Sequence, residues 1–526
     1  MSYRCGMARG SPLFRTTLER VLAAVAAVMI VALVVEEVPR VLFPWDLRIF
    51  SESPFLTNML KLTAGQGLHG KPADANSFIY AGGIEYLTYG VLRPLGLQLD
   101  IRACRVVSVL VGAVSAFVIG HVALRFQQLL GDEGPGRIAH FVASSAAFAI
   151  ILKNYDSDAC HADNLYALHA MLVIALVYAA VSSERFGLAL LALAVAGLSV
   201  VTKQTAGPGF FGAAGVLLYF RRRAWGMRRS AVALVWGLAW LGAGSYFVFH
   251  GWGRFWTLTV PSHQPVEFYR LYRMLLHYVG HPYRLFLAAT FAPSAFYVAM
   301  RSQKSPALRQ LFVAWLAIGV TEVLPSIISY FKIWGFWNNL TIVDLWMALP
   351  VLGVVGYASR AVATGDVVAT RAAAAGAVVT FFVALTPTRV WPNTNEYEYG
   401  RRLDVAIGAD KAAGKRVLVS HGAATLVHNG ILDVPLDRAI SLGELTFAGL
   451  EDKEATRSRF TSHYYDKIYI LLADAPGYLP EMQSVIDANY HEVAHLAGCE
   501  PPPADWDLIG SMQFMRDGVR ILEANH

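Results

Sequence analysis

Asp156, Asp158, His161 and Asp163 stand within eight positions of one another in LKNYDSDACHADNLYALHAML, between two apolar runs. Carboxylate oxygens and an imidazole nitrogen at that density suit a divalent cation, with Asp158 and His161 as candidate ligands, or an acid–base pair. They equally suit the start of a helix, where Asp163 or Asn164 caps free N–H groups. The segment alone leaves both readings open. Asp46 and Glu52 follow the first apolar run in FPWDLRIFSESPF. Lys203 lies in VVTKQTAGPGFF, between two more apolar runs. A lone ammonium there is costly unless it is paired or interfacial. It suits a phosphate, or it snorkels to the membrane surface. Arg254, His263, Glu267, Arg270 and Arg273 lie among aromatics in GRFWTLTVPSHQPVEFYRLYRMLLHYVGHPYR. Lys332, Asn338 and Asn339 follow in YFKIWGFWNNLTIVDLW. Arg254 and Lys332 are the candidates for an anionic head group, while most of the aromatics fit an interfacial belt. Asn339-Leu340-Thr341 matches the glycosylation acceptor pattern, close to a membrane edge.

These residues need elements to position them, and composition says which. Of 526 residues, 55% are hydrophobic and only 16% charged, against about a quarter charged in soluble domains. Mean hydropathy is +0.43. Runs of roughly 20 apolar residues can cross the bilayer. They occur near 17–37, 103–125, 137–153, 164–182, 186–202, 205–220, 230–250, 283–300, 310–331, 339–359 and 371–388, about eleven in all. The division around Lys203 is the least sharp, since a re-entrant pair there would change the count. The Arg4–Arg20 segment leads into an apolar run without a small-residue cleavage site, so the first span reads as an anchor.

The net charge of +6 is concentrated in short clusters between spans. They comprise Arg4, Arg9, Arg15 and Arg20; Arg221, Arg222, Arg223, Arg228 and Arg229; Arg301, Lys304 and Arg309; and Arg360 and Arg371. An odd number of spans puts every cluster on one side, which positive charge marks as cytoplasmic. No basic groove interleaved with aromatics appears, which excludes a nucleic-acid partner. The outside then holds loops 38–102, 153–163 and 251–282, and a region 389–526 whose runs KRVLVSHG and YDKIYILL predict a small α/β domain. Residues 1–388 form the membrane domain. Within the first loop, 54–64 has amphipathic spacing suited to the membrane surface, and 78–95 predicts a second surface helix. Cys5, Cys104, Cys160 and Cys499 have no metal-ligand spacing; Cys160 and Cys499 share the outer side and are candidates for a bridge.

The arrangement resembles the GT-C superfamily of membrane glycosyltransferases, especially family-39-like members such as protein mannosyltransferases and the lipid A aminoarabinose transferase. The likeness covers roughly residues 20–390 and rests on ESPFLTNMLKLTAGQGLHG, SFIYAGGIEYLTYGVLRPLG, YDSDACHADNLYAL and TKQT. Ala81–Gly83 stand where that family has prolines, His161 where Arg is common, and Ser51 at the Asp of its acidic pair. The resemblance implies that Glu52, Asp163 and Asp156 are catalytic carboxylates, with Asp46 a further one. It implies that Lys203 faces the donor's phosphate. It further implies an inverting transfer from a polyprenyl-phosphate-linked sugar to a lipid, glycan or protein hydroxyl, with or without a divalent metal. The site would face the periplasm or cell exterior of a bacterial inner membrane. Two rivals predict other patterns. A transporter or lipid flippase places ionisable residues at mid-span, with Glu36, Glu37, Glu322 and Asp344 the ones to examine. A non-catalytic scaffold leaves the outer loops without a shared site.

Overall fold

The computed structural model describes residues 12–47, 52–131, 136–153, 160–333, 337–361, 392, 394–420, 422–431, 436–471, 480–498 and 518–525. Its longer helices are α1 (Pro12–Leu42), α2 (Glu52–Thr63), α3 (Gly83–Leu92), α4 (Ile101–Leu129), α5 (Arg137–Lys153), α6 (Ala162–Ser183) and α7 (Phe186–Gly197). They continue as α8 (Gly209–Phe249), α9 (Tyr269–Gly280), α10 (Pro282–Ser302), α11 (Pro306–Phe331), α12 (Thr341–Ala361) and α13 (Thr394–Ala412). Among the described residues six segments are long and apolar enough to cross a membrane: those of α1, α4, α6, α8, α11 and α12. Helices α5 and α7 are shorter and apolar. The chain is an integral, polytopic helical membrane protein. Every expected span up to 339–359 falls on a helix, and the one at 371–388 lies outside the described residues.

The two spans expected at 205–220 and 230–250 both fall in α8, which Gly226 divides. Its φ of 66° is left-handed backbone that glycine adopts without a Cβ clash. The chain folds back there, so Gly237 packs on Phe210 and Leu193. The cluster from Arg221 to Arg229 surrounds this turn. Polarity follows from α6. Asp163 lies in its first turn and Glu184 caps its far end, about 30 Å away at 1.5 Å per residue, which is the thickness of the hydrocarbon layer. Glu184 accepts from Arg221 at 2.5 Å. The acidic start of α6 and the arginine cluster therefore occupy opposite ends of the bundle.

The C-terminal region carries a four-stranded sheet, β1 (Val417–Val419), β2 (Lys467–Leu471), β3 (Tyr490–Leu496) and β4 (Val519–Ala524), in the order β1-β2-β4-β3. β1 and β2 are parallel and the other pairs antiparallel. Both faces of β1, β2 and β4 are covered, as the strand alternation requires, while the edge strand β3 is exposed after Tyr490. Val419, Tyr469 and Ile521 pack on Tyr399, Leu403 and Ile407 of α13, together with Phe43 and Trp45. Leu418, Ile468, Ile470 and Leu522 pack on Phe460, Met482 and Ile486.

This region sits directly on the connection between α1 and α4. The N–H groups of Asp437 and Arg438 donate to the carbonyls of Asp74 and Ala75 at 3.1 and 2.9 Å, and Ser441 Oγ donates to Ser77 O at 2.8 Å. That contact corrects one expectation. Residues 54–64 do form a helix, α2, but it does not lie on a membrane surface. Phe55, Leu56 and Met59 are buried against α3, the start of α4, and Ala423 and Ala424 of the C-terminal region. The polar face is covered as well: Lys61 is buried and donates to Leu68 O and to Ser77 Oγ (3.0 Å). The expected helix at 78–95 begins only at Gly83, after the left-handed Gly82.

Candidate functional site

Lys203 occupies the break between a short helical turn at Ser199–Thr202 and the next helix, in extended backbone. Its Nζ donates to Asp163 Oδ1 at 2.6 Å and to Asn339 Oδ1 at 2.9 Å. The rings of Tyr80 and Tyr166 lie 5.4 and 5.7 Å from it, within range of cation–π attraction. The other oxygen of Asp163 accepts from Asn338 Nδ2 at 2.5 Å and lies 2.5 Å from His161 Nδ1. Lys203, Asp163, His161, Asn338 and Asn339 are all buried. Four segments far apart in sequence thus meet at the end of the bundle opposite the arginines: Tyr80, His161 to Asp163, Lys203, and Asn338 to Asn339. Gln204 Nε2 donates to Ile79 O at 2.8 Å and ties the lysine's segment to the first loop.

Asn338 Oδ1 is buried at this pair without a hydrogen-bond partner in the chain, as are Gln204 Oε1 and Thr205 Oγ1, which follow Lys203 in sequence. Buried polar atoms are normally paired, so these are free to take a ligand or water. Asn339 is engaged by Lys203 and buried, so the glycosylation pattern there is closed to an oligosaccharide.

Glu52 belongs to a second, separately bonded group. Its Oε1 accepts from Arg105 Nε at 2.6 Å, and its Oε2 from Arg105 Nη2 at 2.7 Å and Leu47 N at 2.6 Å. Arg105 also donates to the carbonyls of Arg40 (3.0 Å), Phe43 and Trp45 (2.6 Å). Both side chains are fully buried. This bidentate pair fixes the path of the chain from α1 to α2. Asp46 lies in the same group and accepts from Ala424 N at 3.0 Å. Burial, then the neighbouring Glu52, pushes the Asp46 carboxyl up to about 6.

The structure therefore brings Asp163, Lys203 and His161 together and holds Glu52 and Asp46 in a different bonded group. Asp156 and Asp158 lie outside the described residues. Among the described residues no group of three or more His, Cys, Asp or Glu is placed to hold a metal ion, and His161 is turned to Asp163. The described residues do not assemble a divalent-ion site. Lys332 donates to Pro261 O, and its backbone bridges Val266, so it fastens the third outer loop. Arg254 is exposed.

Sequence reasoning missed Arg105, Glu85, Tyr80 and Tyr166. Glu85, on α3, is buried and accepts from Asn58 Nδ2 at 2.9 Å, while its Oε2 has no partner. Burial pushes its carboxyl up; the Asn58 hydrogen bond and the nearby His161 pull the other way. A Glu inside a predicted surface helix gave no signal of this. Two of the four carboxylates that a transporter would use, Glu322 and Asp344, are engaged. Glu322 Oε2 accepts from Tyr166 at 2.7 Å, and Asp344 accepts from Tyr278 (2.7 Å) and Arg284 (2.9 Å).

No protein-family model matches the chain, and no curated protein sequence matches it. Among solved structures it is similar to the crystal structure of ArnT from Cupriavidus metallidurans bound to undecaprenyl phosphate. The identity is 15%, 96% of this chain and 97% of that one are covered, and the TM-score is 0.43.

Proposed function

We propose that this protein is an inverting glycosyltransferase that moves a sugar from a polyprenyl-phosphate donor to an acceptor hydroxyl at the outer membrane face. The observation that carries the reading is the buried Lys203–Asp163 pair with its two asparagines. It is assembled from four distant segments at the bundle end opposite the arginine clusters. The TKQT and YDSDACHADNLYAL likenesses singled out its lysine and aspartate independently.

In this reading Lys203 receives the donor phosphate. An ammonium held in a dry site stabilises the charge that gathers on the departing phosphate as the glycosidic bond breaks. Asp163 holds the ammonium in place and, once the phosphate takes over Lys203, its carboxylate is released toward the acceptor hydroxyl as general base. Asn338, Gln204 and Thr205 offer the unpaired polar atoms a sugar's hydroxyls would meet. Glu52 holds the connection from α1 to α2 through Arg105 and takes no part in the transfer, and exposed Arg254 attracts the anionic donor to the surface.

The test is transfer from a polyprenyl-phosphate sugar by purified protein in detergent or vesicles. Lys203→Met and Asp163→Asn are each expected to reduce turnover by at least about a hundredfold. Turnover unchanged in either variant overturns the assignment of that residue. Failure of the wild-type protein to bind a polyprenyl phosphate overturns the reaction class.

A further inference from the structure

Helix α9 has two unlike faces. On one, Met274 and Tyr278 pack on the bundle core, and Tyr278 donates to Asp344 in the first turn of α12 at 2.7 Å. On the same side His277 stacks on Trp337, with ring centroids 3.6 Å apart and planes 10° from parallel. Trp337 adjoins Asn338, which donates to Asp163, so α9 stands at the bundle end that carries Lys203. The other face presents Phe268, Leu271, Tyr272, Leu275, Leu276 and Val279, all exposed, Phe268 at 82% and Val279 at 63%. Steps of three and four keep them in one stripe along a helix about 18 Å long. Both ends of α9 are tied, which holds the stripe outward. Before it, Glu267 N donates to Phe331 O at 2.8 Å and Ile333 N to Pro265 O at 3.0 Å. After it, α10 follows His281 directly, and buried Arg284 donates to Asp344 at 2.9 Å.

We infer that α9 is a membrane-surface helix, with its stripe set among the acyl chains of the leaflet at the Lys203 end and its other face braced on Trp337. The tie to Phe331 joins it to a surface that already meets lipid. On the spanning helix α11, exposed Ile328 and Leu324 lie about one and two turns before Phe331. The apolar belt of the bundle therefore runs on into the stripe. The basic residues fit as well. Arg270 pairs with Glu267 at 2.6 Å, and exposed Arg273 lies over the Trp337 ring at 6.0 Å. Surface helices combine an apolar stripe with arginines that meet anionic head groups. Lipid thus supports, from outside, the segment that delivers Asn338 and Asn339 to Asp163 and Lys203.

This inference does not depend on the sugar-transfer reading. Its test uses the full chain in vesicles of phosphatidylethanolamine and phosphatidylglycerol, with Cys5→Ser and Cys499→Ser. Cys104 and Cys160 are free and buried, so they escape labelling in the folded chain. Cys499, the bridge candidate for Cys160, lies outside the described residues. A nitroxide is attached at one position at a time, Leu271→Cys, Leu275→Cys or Val279→Cys. Leu324→Cys serves as the lipid reference and Arg401→Cys as the water reference. Relaxation by oxygen, which concentrates in lipid, is compared with relaxation by a neutral nickel chelate, which stays in water. Oxygen is expected to dominate at all three stripe positions, as at Leu324. Dominance of nickel there, as at Arg401, overturns the inference. Shielding from both reagents, the mark of a protein partner or a second copy on the stripe, overturns it too. A second measurement uses the unaltered chain: a phospholipid with a diazirine on its acyl chain is photolysed in the same vesicles and its adducts are mapped. Adducts on Leu275, Leu276 or Val279 are expected beside those on Leu324. Adducts on α11 with none on α9 count against the inference in the same way.

Discussion

Replacing Asp163 by Asn changes one oxygen to an amide and little else in volume. It removes the formal anion that sits 2.6 Å from Lys203 Nζ in a site where the lysine is only 1% exposed. The remaining partners are neutral: Asn339 Oδ1 at 2.9 Å and two aromatic faces beyond 5 Å. Taking away one partner of a buried pair leaves the other charge desolvated and unmatched, typically at a cost of about 3–5 kcal/mol. Asn339 and the tyrosines offset part of this, so the lower end, about 3 kcal/mol, is expected. Neutralising both groups removes the unmatched charge. The Asp163→Asn, Lys203→Met double variant should then be more stable than Asp163→Asn alone, with a coupling of about 1–3 kcal/mol. Unfolding of the four proteins of this cycle, in one detergent at one lipid content, measures it. Additive single effects, or an Asp163→Asn variant within about 0.5 kcal/mol of wild type, would refute the claim that the two charges depend on each other.

Three further outcomes follow from particular contacts. Glu52→Gln leaves Arg105 buried without its anion and is expected to lower stability by about 3 kcal/mol or more. Transfer per folded molecule stays within about threefold, because Glu52 acts only through Arg105; unaltered stability with lost transfer would place Glu52 among the reacting groups. Asp46 has a folded pKa raised from 3.8 to about 6, so it favours the folded state most when protonated. Its contribution is complete below about pH 4 and is lost as pH rises through about 6, by about 3 kcal/mol in total. Asp46→Asn should flatten the unfolding profile between those pH values, and an unchanged slope counts against the assignment. A methyl at Gly209 would sit 1.7 Å from Glu322 Oε1, inside the carboxyl that accepts from Tyr166. Gly209→Ala is expected to cost about 1–3 kcal/mol in thermal unfolding, whereas alanine at Gly215, which has open space, should cost little.

The membrane helices were legible because apolar runs of membrane length have few alternative fates. Asp163 and Lys203 were legible as types, a carboxylate and an ammonium too costly to leave idle at an apolar edge. Their pairing was not, since 40 positions separate them and no periodicity links the start of α6 to the break before α8. Glu52 was legible as an unusual acid, but its partner Arg105 was hidden at the head of an ordinary span. The surface assignment of 54–64 failed because amphipathic spacing records only that two faces differ. Lys61 satisfies the polar face with carbonyls of the next loop, and alanines contributed from nearly 370 positions away cover the rest. Neither fact is local to the helix.

The grip of Arg105 on the carbonyls of Arg40, Phe43 and Trp45 also sets an order of assembly on the nascent chain. Helix α1 can enter the bilayer as soon as it is made, but the segment that leaves it has no fixed path until α4 delivers Arg105, some 60 residues later. Asp46 and Ser53 gain their last partners only when Ala423, Ala424 and Arg438 have been synthesised and docked. The earliest connection to appear is thus among the last to be locked. Truncation after α12 would leave a chain able to insert but with the segment after α1 unsettled. Docking of the final region, not insertion of the helices, completes the protein.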